Sequence, residues 1–356
     1  MWGRNFAYLT TISTQRKYRL ASWLHYHRRI FVVSVAAVVL IGTFSVIRKQ
    51  ALELELELDT QWDGQVEDFE HLKDGTYIVP NIVHFIRLGN APLQFVEVVC
   101  IRAAWLQQRP DHLMIHCDPC NATVNSPLWY IIKDIPGLLL EPTERPTEIF
   151  GVKFSSLQHT SDVVRALVLM KHGGIYLDSD AYLVRSLDPY RIYELSIGWP
   201  PGELVGTQVI VAHKDARYLR LWYESYRRYR PGLWYWNAGG LPTKKFLSVR
   251  PDLVNRVQHD FGVLEDVVPT LYSECNNRWR NFSAFHLFFR HRLRIVPWEF
   301  LKHWSVTLES VPNYDRNFGQ MARLVLSGST RLGASEIRSV DWFSTNALDY
   351  SKHSCS

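Results

Sequence analysis

Asp178 and Asp180 stand two residues apart at the end of the run Gly173-Gly-Ile-Tyr-Leu-Asp-Ser-Asp180. On an extended segment, residues i and i+2 point to the same side, so the two carboxylates are expected to converge. Like charges that close raise one pKa unless something positive sits between them. A hard divalent cation, Mn2+ or Mg2+, is the partner that carboxylate oxygens favour, and such an ion usually also holds phosphates. Sixteen residues before Asp178 comes Asp162, followed by Arg165. Three apart on a helix, they share a face. Arg165 could grip a phosphate or hold a carboxylate. An isolated D-x-D is usually a turn or a solvated loop. This one follows Gly-Gly at a strand's end, with an Asp and an Arg on the element before it, and that context favours a metal site.

The elements that must position these groups are readable around them. Thr160 or Ser161 can cap a helix. Val163, Val164, Ala166, Leu167, Leu169 and Met170 recur at helical spacing. Gly173 and Gly174 can end that helix at positive φ, and Ile175 to Leu177 reads as a short buried strand. Upstream, residues 78–86 read as a first strand. Pro92 suits the first turn of a helix whose stripe is Val96, Val99, Cys100, Ala103 and Leu106. Residues 112–116 read as a second strand. This alternation predicts an α/β fold with a mainly parallel sheet flanked by helices. Open α/β sheets bind ligands beyond the carboxyl ends of their strands, where Asp178, Asp180 and the loop after Ile86 fall. Further on, 206–212 reads as a strand, 215–229 as an aromatic-basic helix and 318–327 as a late helix.

The S-D-x-x-R of residues 161–165 and the G-G-x-Y-x-D-x-D of residues 173–180 resemble the DXD-motif sugar-nucleotide glycosyltransferases of family 32. That group includes α-1,4-galactosyl- and α-1,4-N-acetylglucosaminyltransferases and fungal α-1,6-mannosyltransferases. The resemblance implies a GT-A-like fold and a UDP-sugar donor. It also implies a glycan or glycolipid acceptor, and transfer with retention to give an α-linkage. It makes Asp178 and Asp180 the catalytic metal ligands, with Asp180 the more direct and Asp178 shared with the nucleotide ribose. Asp162 and Arg165 would grip the donor sugar and its phosphate side. Phe85 belongs to the strand that opens the nucleotide site, and Arg87 follows that strand, where many relatives carry Trp. Thr207 matches a family Asn best. Gln208 is one step further along the strand, where the side-chain direction reverses. In Ser283-Ala-Phe-His-Leu-Phe288, His286 is the candidate late metal or diphosphate ligand, with Phe288 in place of a family Trp; His303-Trp304 is the rival. Trp234 and Trp236, in the aromatic segment 231–242, are the acceptor-side candidates. His84 reads either as a buried core histidine or as a nucleotide contact.

Residues 30–47 carry no charge and would span roughly 27 Å as a helix, about a bilayer core. Basic residues precede them and Glu53, Glu55, Glu57 and Asp59 follow. The positive-inside rule then predicts a cytosolic tail over 1–29 and a transmembrane signal anchor over 30–47. It leaves a stem over 48–76 and a lumenal catalytic domain over 77–356, as in a type II Golgi protein. A cleaved signal peptide is the rival reading. Sequons at Asn121 and Asn281 agree with a lumenal body. Five cysteines allow disulfides with at least one left over, and Cys117-x-x-Cys120 reads as a disulfide rather than half a zinc site. A net charge of +5 is too mild to argue for nucleic acid. Two other functions fit the same residues less well. One is a membrane-tethered sugar-nucleotide or glycan-binding protein without catalysis. The other is a glycoside hydrolase, which needs its carboxylates on opposite sides of a scissile bond.

Overall fold

The computed structural model divides the chain into two units, Met1–Asp63 and Gly64–Ser356. Of the first it describes His27, Phe31, Ser34, Val35, Gly42 and Thr43, all helical; of the second, residues 76–296, 306–331 and 348–350. Among the described residues no helix is long and apolar enough to cross a membrane. The expected anchor at 30–47, most of the stem and the His303-Trp304 pair lie largely or wholly outside them.

The second unit runs β1 (Ile82–Leu88), α1 (Phe95–Gln108), β2 (His112–Asp118), α2 (Asn121–Val124), β3 (Leu138–Pro142), β4 (Glu148–Ile149), β5 (Val152–Lys153) and α3 (Leu157–His172). It continues with β6 (Gly174–Leu177), β7 (Ala181–Leu183), β8 (Leu195–Gly198), β9 (Gly206–Ala212), α4 (Arg217–Ser225), β10 (Asn255–Val257) and β11 (Phe261–Gly262). Then follow α5 (Val267–Tyr272), β12 (Ala284–His286), α6 (Arg292–Ile295) and α7 (Asn317–Ser327). Seven strands form one sheet in the order β10-β8-β9-β6-β1-β2-β3. Every pair is parallel except those made by β9, which runs antiparallel to both β6 and β8. The mainly parallel sheet expected from the alternation is present.

From β1 the chain steps outward to β2 and β3, then returns to β6 on the other side of β1. That reversal opens a crevice between the carboxyl ends of β1 and β6, the place where open α/β sheets bind ligands. Strand alternation sends Val83, Phe85, Leu113, Ile115, Ile175 and Leu177 into the core that holds α1. α1 is buried almost all round, not along a single stripe. It is capped at Gln94, whose amide donates to the Glu97 carboxylate at 2.7 Å, so Pro92 lies before the helix and not in its first turn.

The opposite face of the sheet lies under α3 and carries a cluster of histidines. His84 Nδ1 and His116 Nε2 are 3.0 Å apart, and His84 Nε2 donates to the Gly173 carbonyl at 2.8 Å. The ring of His172, in the last turn of α3, lies 5.7 Å from that of His84. Burial lowers His84 to about 3 and His116 to about 4. Of the two readings of His84, the structure selects the core histidine.

A second sheet, β11-β12-β7, packs beside the first. β7 and β12 pair antiparallel, with Ala181 opposite His286. Cys117 and Cys120 are disulfide-bonded, Cys275 is disulfide-bonded, and Cys100 is a buried free thiol.

Candidate functional site

α3 begins one turn earlier than the sequence suggests. Its N-cap is Ser156, whose hydroxyl accepts from the His159 amide at 3.2 Å, not Thr160 or Ser161. It ends at Gly173, with φ 65°, and Gly174 follows at 109°. A side chain at Gly174 would meet the Ile82 carbonyl at 2.6 Å, so the second glycine is needed for close approach of helix end and sheet. This tight return runs β6 alongside α3 and brings its carboxyl end to the helix residues Asp162 and Arg165.

Asp178-Ser179-Asp180 is a turn, not a continuation of the strand. The Ala181 amide donates to the Asp178 carbonyl at 2.8 Å, which closes the turn and starts β7. The two carboxylates therefore converge because the chain folds back, not by strand alternation. β7 then pairs with β12, and that register brings in His286 from 106 residues away: its Nε2 lies 3.1 Å from Asp180 Oδ1. The Phe289 amide donates to the other Asp180 oxygen at 3.1 Å. One ligand atom from each of Asp178, Asp180 and His286 falls within 4.8 Å of the others. Burial alone would raise the Asp180 carboxyl, but His286 and the Phe289 amide hold it below the usual carboxylate value. Burial disfavours the charged form of His286, yet Asp180 raises its pKa above the ordinary one.

Arg165 organises the other side of the turn. Its Nη2 lies 3.0 Å from Asp162 Oδ1 and 3.3 Å from Asp178 Oδ1. Nη1 donates to the Thr207 carbonyl at 2.9 Å and to its hydroxyl at 3.0 Å, and the Nε proton is directed at the Ser161 carbonyl, 3.4 Å away. The guanidinium lies over the Tyr176 ring at 4.7 Å. Tyr176 also donates to Asp178 Oδ1 at 2.5 Å, so that oxygen is committed inward and Oδ2 is left for a ligand. With all its donors engaged, Arg165 holds carboxylates and has none left for a phosphate. Burial pushes the Asp162 carboxyl up to about 7, with Arg165 pulling the other way. Both residues lie beyond the first turn of α3.

These groups line a cavity of about 600 Å³, a size suited to a small-molecule ligand. Asp162, Arg165, Asp178, Asp180, Thr207, Gln208, Trp234 and His286 all face it. Among the described residues, Gln208 Oε1 is buried without a hydrogen-bond partner. Phe288 packs against His286, ring centroids 4.0 Å apart.

Three expected site residues are elsewhere. Phe85 is buried in the core under α1, because its strand parity points it away from the crevice side. Arg87 does not line the cavity: it is tied to Glu97 at 2.5 Å, to the Thr123 hydroxyl at 3.2 Å and to the Ala91 carbonyl at 2.7 Å. It braces the start of α1 and is not available to stack on a base. Trp236 packs on Gly240 with Lys244 above its ring, and Tyr235 takes its place in the cavity wall. Asn121 and Asn281 are both exposed.

Sequence reasoning assigned no role to His159, three residues before Asp162, or to Arg290. Arg290 lines the cavity four residues after His286, and among the described residues it has no hydrogen-bond or ion-pair partner. A cation so close to a proposed ligand was the available signal.

Residues 96–197 match the family described as "Glycosyltransferase sugar-binding region containing DXD motif". Residues 96–197 are thus similar to a DXD-type glycosyltransferase region. The glucan organizing enzyme 1 of Cryptococcus neoformans var. grubii serotype A is 25% identical over 176 residues, covering 44% of this chain and 46% of that protein. The chain thus matches less than half the length of that relative. Among solved structures, the PaToxG glycosyltransferase is similar over 69% of this chain and 87% of its own, at 14% identity and a TM-score of 0.33. A glycosyltransferase involved in the glycosylation of the major capsid of PBCV-1 is similar over 63% of this chain and 98% of its own, at 12% identity and a TM-score of 0.31. Within the matched glycosyltransferase region lie Asp162, Arg165, Asp178 and Asp180. His286, Thr207, Gln208 and Trp234 lie after it.

Proposed function

We propose that this chain is a divalent-metal-dependent hexosyltransferase. In this reading it moves a hexose or N-acetylhexosamine from a nucleotide sugar, a UDP-sugar first, onto a glycan or glycolipid, with retention to an α-linkage. One observation carries the reading: two carboxylates and an imidazole converge at the mouth of a cavity at the sheet's switch point. The fit to a metal is chemical. Two acids and one neutral imidazole form an oxygen-rich donor set suited to Mn2+ or Mg2+.

Asp178 Oδ2, an Asp180 oxygen and His286 Nε2 would hold the ion, with Asp180 and His286 giving up their mutual contact. The ion, when bound, supplies positive charge against the diphosphate that leaves as the sugar–phosphate bond breaks. This chain's own residues do the rest. Arg165 fixes the Asp178 carboxylate and the Thr207 strand end. Arg290, exposed at the rim, is placed to meet the diphosphate that Arg165 cannot reach. The Gln208 carbonyl oxygen is a ready acceptor for a donor hydroxyl. The Thr207 hydroxyl already accepts from Arg165.

The disulfides, the exposed sequon asparagines and the uncharged run at 30–47 support a type II membrane protein with this domain in the Golgi lumen.

The test is release of nucleoside diphosphate by the purified full chain with Mn2+ across a panel of nucleotide sugars. Release that depends on metal and rises with an acceptor supports the transferase. Donor binding without release across the panel would leave a tethered binding protein in its place.

A further inference from the structure

His159 is buried, yet both its ring nitrogens are spent on one loop. Nδ1 lies 2.5 Å from the Tyr229 hydroxyl, and Nε2 lies 2.9 Å from the Trp234 carbonyl. A carbonyl oxygen only accepts, so Nε2 carries the proton and Nδ1 accepts from Tyr229. The Tyr229 oxygen in turn accepts from the Ser155 amide at 3.2 Å. The Ser155 hydroxyl donates to the Pro231 carbonyl at 2.8 Å. The loop 229–234 is thereby bolted to the start of α3 at three points.

The residue so held is unusual. The Trp234 side chain lines the cavity but is 58% exposed, and its ring lies 5.7 Å from that of His159. Large apolar side chains left in water normally sit on mobile surface. Here the backbone that carries one is fixed to the same helix that carries Asp162 and Arg165. One rigid element therefore sets the spacing between an open indole face and the Asp178 turn. The face of an indole is electron-rich and attracts the weakly positive C–H edge of a pyranose. Glu203 and Gln158, also in the wall, are placed to accept from or donate to ring hydroxyls.

We infer that Trp234 is the platform of the acceptor subsite, taking a pyranose by its C–H face, and that His159 is the positioning residue that holds it. The inference rests on the transferase reading for its biology but not for its test. His159 touches no reacting atom; it acts through the Trp234 backbone.

The test is saturation-transfer NMR on the full chain with the methyl pyranosides of glucose, galactose and mannose, in the presence of UDP and Mg2+. At least one glycoside is expected to receive saturation at its ring C–H protons. Trp234→Ala is expected to lower that signal about tenfold. His159→Phe is expected to lower it several-fold, whereas His159→Gln, which can still donate to the Trp234 carbonyl, retains most of it. Tyr229→Phe removes the hydroxyl that bonds His159 Nδ1 and the Ser155 amide but leaves the His159–Trp234 bond, and gives an intermediate loss, which keeps the test informative should His159→Phe fold poorly. UDP affinity, read by calorimetry, is expected to stay within about twofold throughout, which a general loss of structure would not permit. No saturation of any glycoside, or full signal in Trp234→Ala, overturns the platform. Full signal in both His159→Phe and Tyr229→Phe overturns the role of His159. Absence of nucleotide release from every nucleotide sugar would sink the transferase reading instead, and is a separate result.

Discussion

The Arg165 guanidinium lies 3.3 Å from the Asp178 carboxylate and 3.0 Å from that of Asp162. One buried cation thus couples α3 to the turn that presents the metal ligands, and its remaining donors reach Thr207 on β9. Ion pairs on the surface contribute little, but breaking one in the interior leaves an unmatched charge. Arg165→Lys keeps the charge and loses the planar fork. It is expected to destabilise the fold by about 3 kcal/mol and to weaken Mn2+ binding at least tenfold. Thermal melts and a Mn2+ titration followed by electron paramagnetic resonance check both. Wild-type metal affinity in this variant would show that Asp178 does not need Arg165 for its pose.

Asp180 and His286 are expected to separate by rescue. Asp180→Asn removes the charge at the centre of the ligand set, and nucleotide release should fall about 1000-fold at any Mn2+ concentration. His286→Ala leaves two carboxylates. Its metal affinity should fall roughly 10- to 100-fold, with release partly restored at saturating Mn2+. The comparison needs only diphosphate release measured across a metal titration.

Gln208 Oε1 is buried with no partner among the described residues. An unsatisfied buried acceptor costs about 1–3 kcal/mol, so its removal can stabilise. Gln208→Met is expected to raise or preserve the melting temperature and to lower donor affinity about tenfold. Donor affinity equal to wild type would mean that the amide does not meet the nucleotide sugar.

Acid should weaken the domain through the histidines beneath α3. His84 and His116 are lowered to about 3 and about 4 in the fold, against 6.5 when free, because burial disfavours the charged forms, helped by His116 beside His84 and by His172 beside His116. Between those values the unfolded chain binds more protons than the native one, so stability rises with pH. The contribution is complete above about pH 6.5 and falls as pH drops toward 4, by on the order of 1.4 kcal/mol per pH unit for each histidine. Denaturant midpoints from pH 7 to 5 should show this slope, and His116→Asn should flatten it. An unchanged slope in that variant would place the acid sensitivity elsewhere.

Much of the site was legible in local sequence because its physics is local. An apolar helical stripe, two glycines and a four-residue strand dictate a tight α-to-β return, and the acids follow at its end. The alternation of such units implies a parallel sheet, and a parallel sheet implies a crevice at its switch point. Whatever depended on contact between distant segments had to wait for the tertiary structure. Strand parity sent Phe85 into the core, and Glu97 and Thr123 claimed Arg87. Asp162, Asp178, Thr207 and the Ser161 carbonyl absorbed every donor of Arg165, which motif spacing alone had left free for a phosphate. The pairing of β7 with β12 brought His286 to Asp180, and the bonds of His159 hold the backbone of Trp234. The division has a plain cause. Spacing along a chain fixes which way a side chain points relative to its neighbours, whereas hydrogen-bond partners are set by which strands and loops meet.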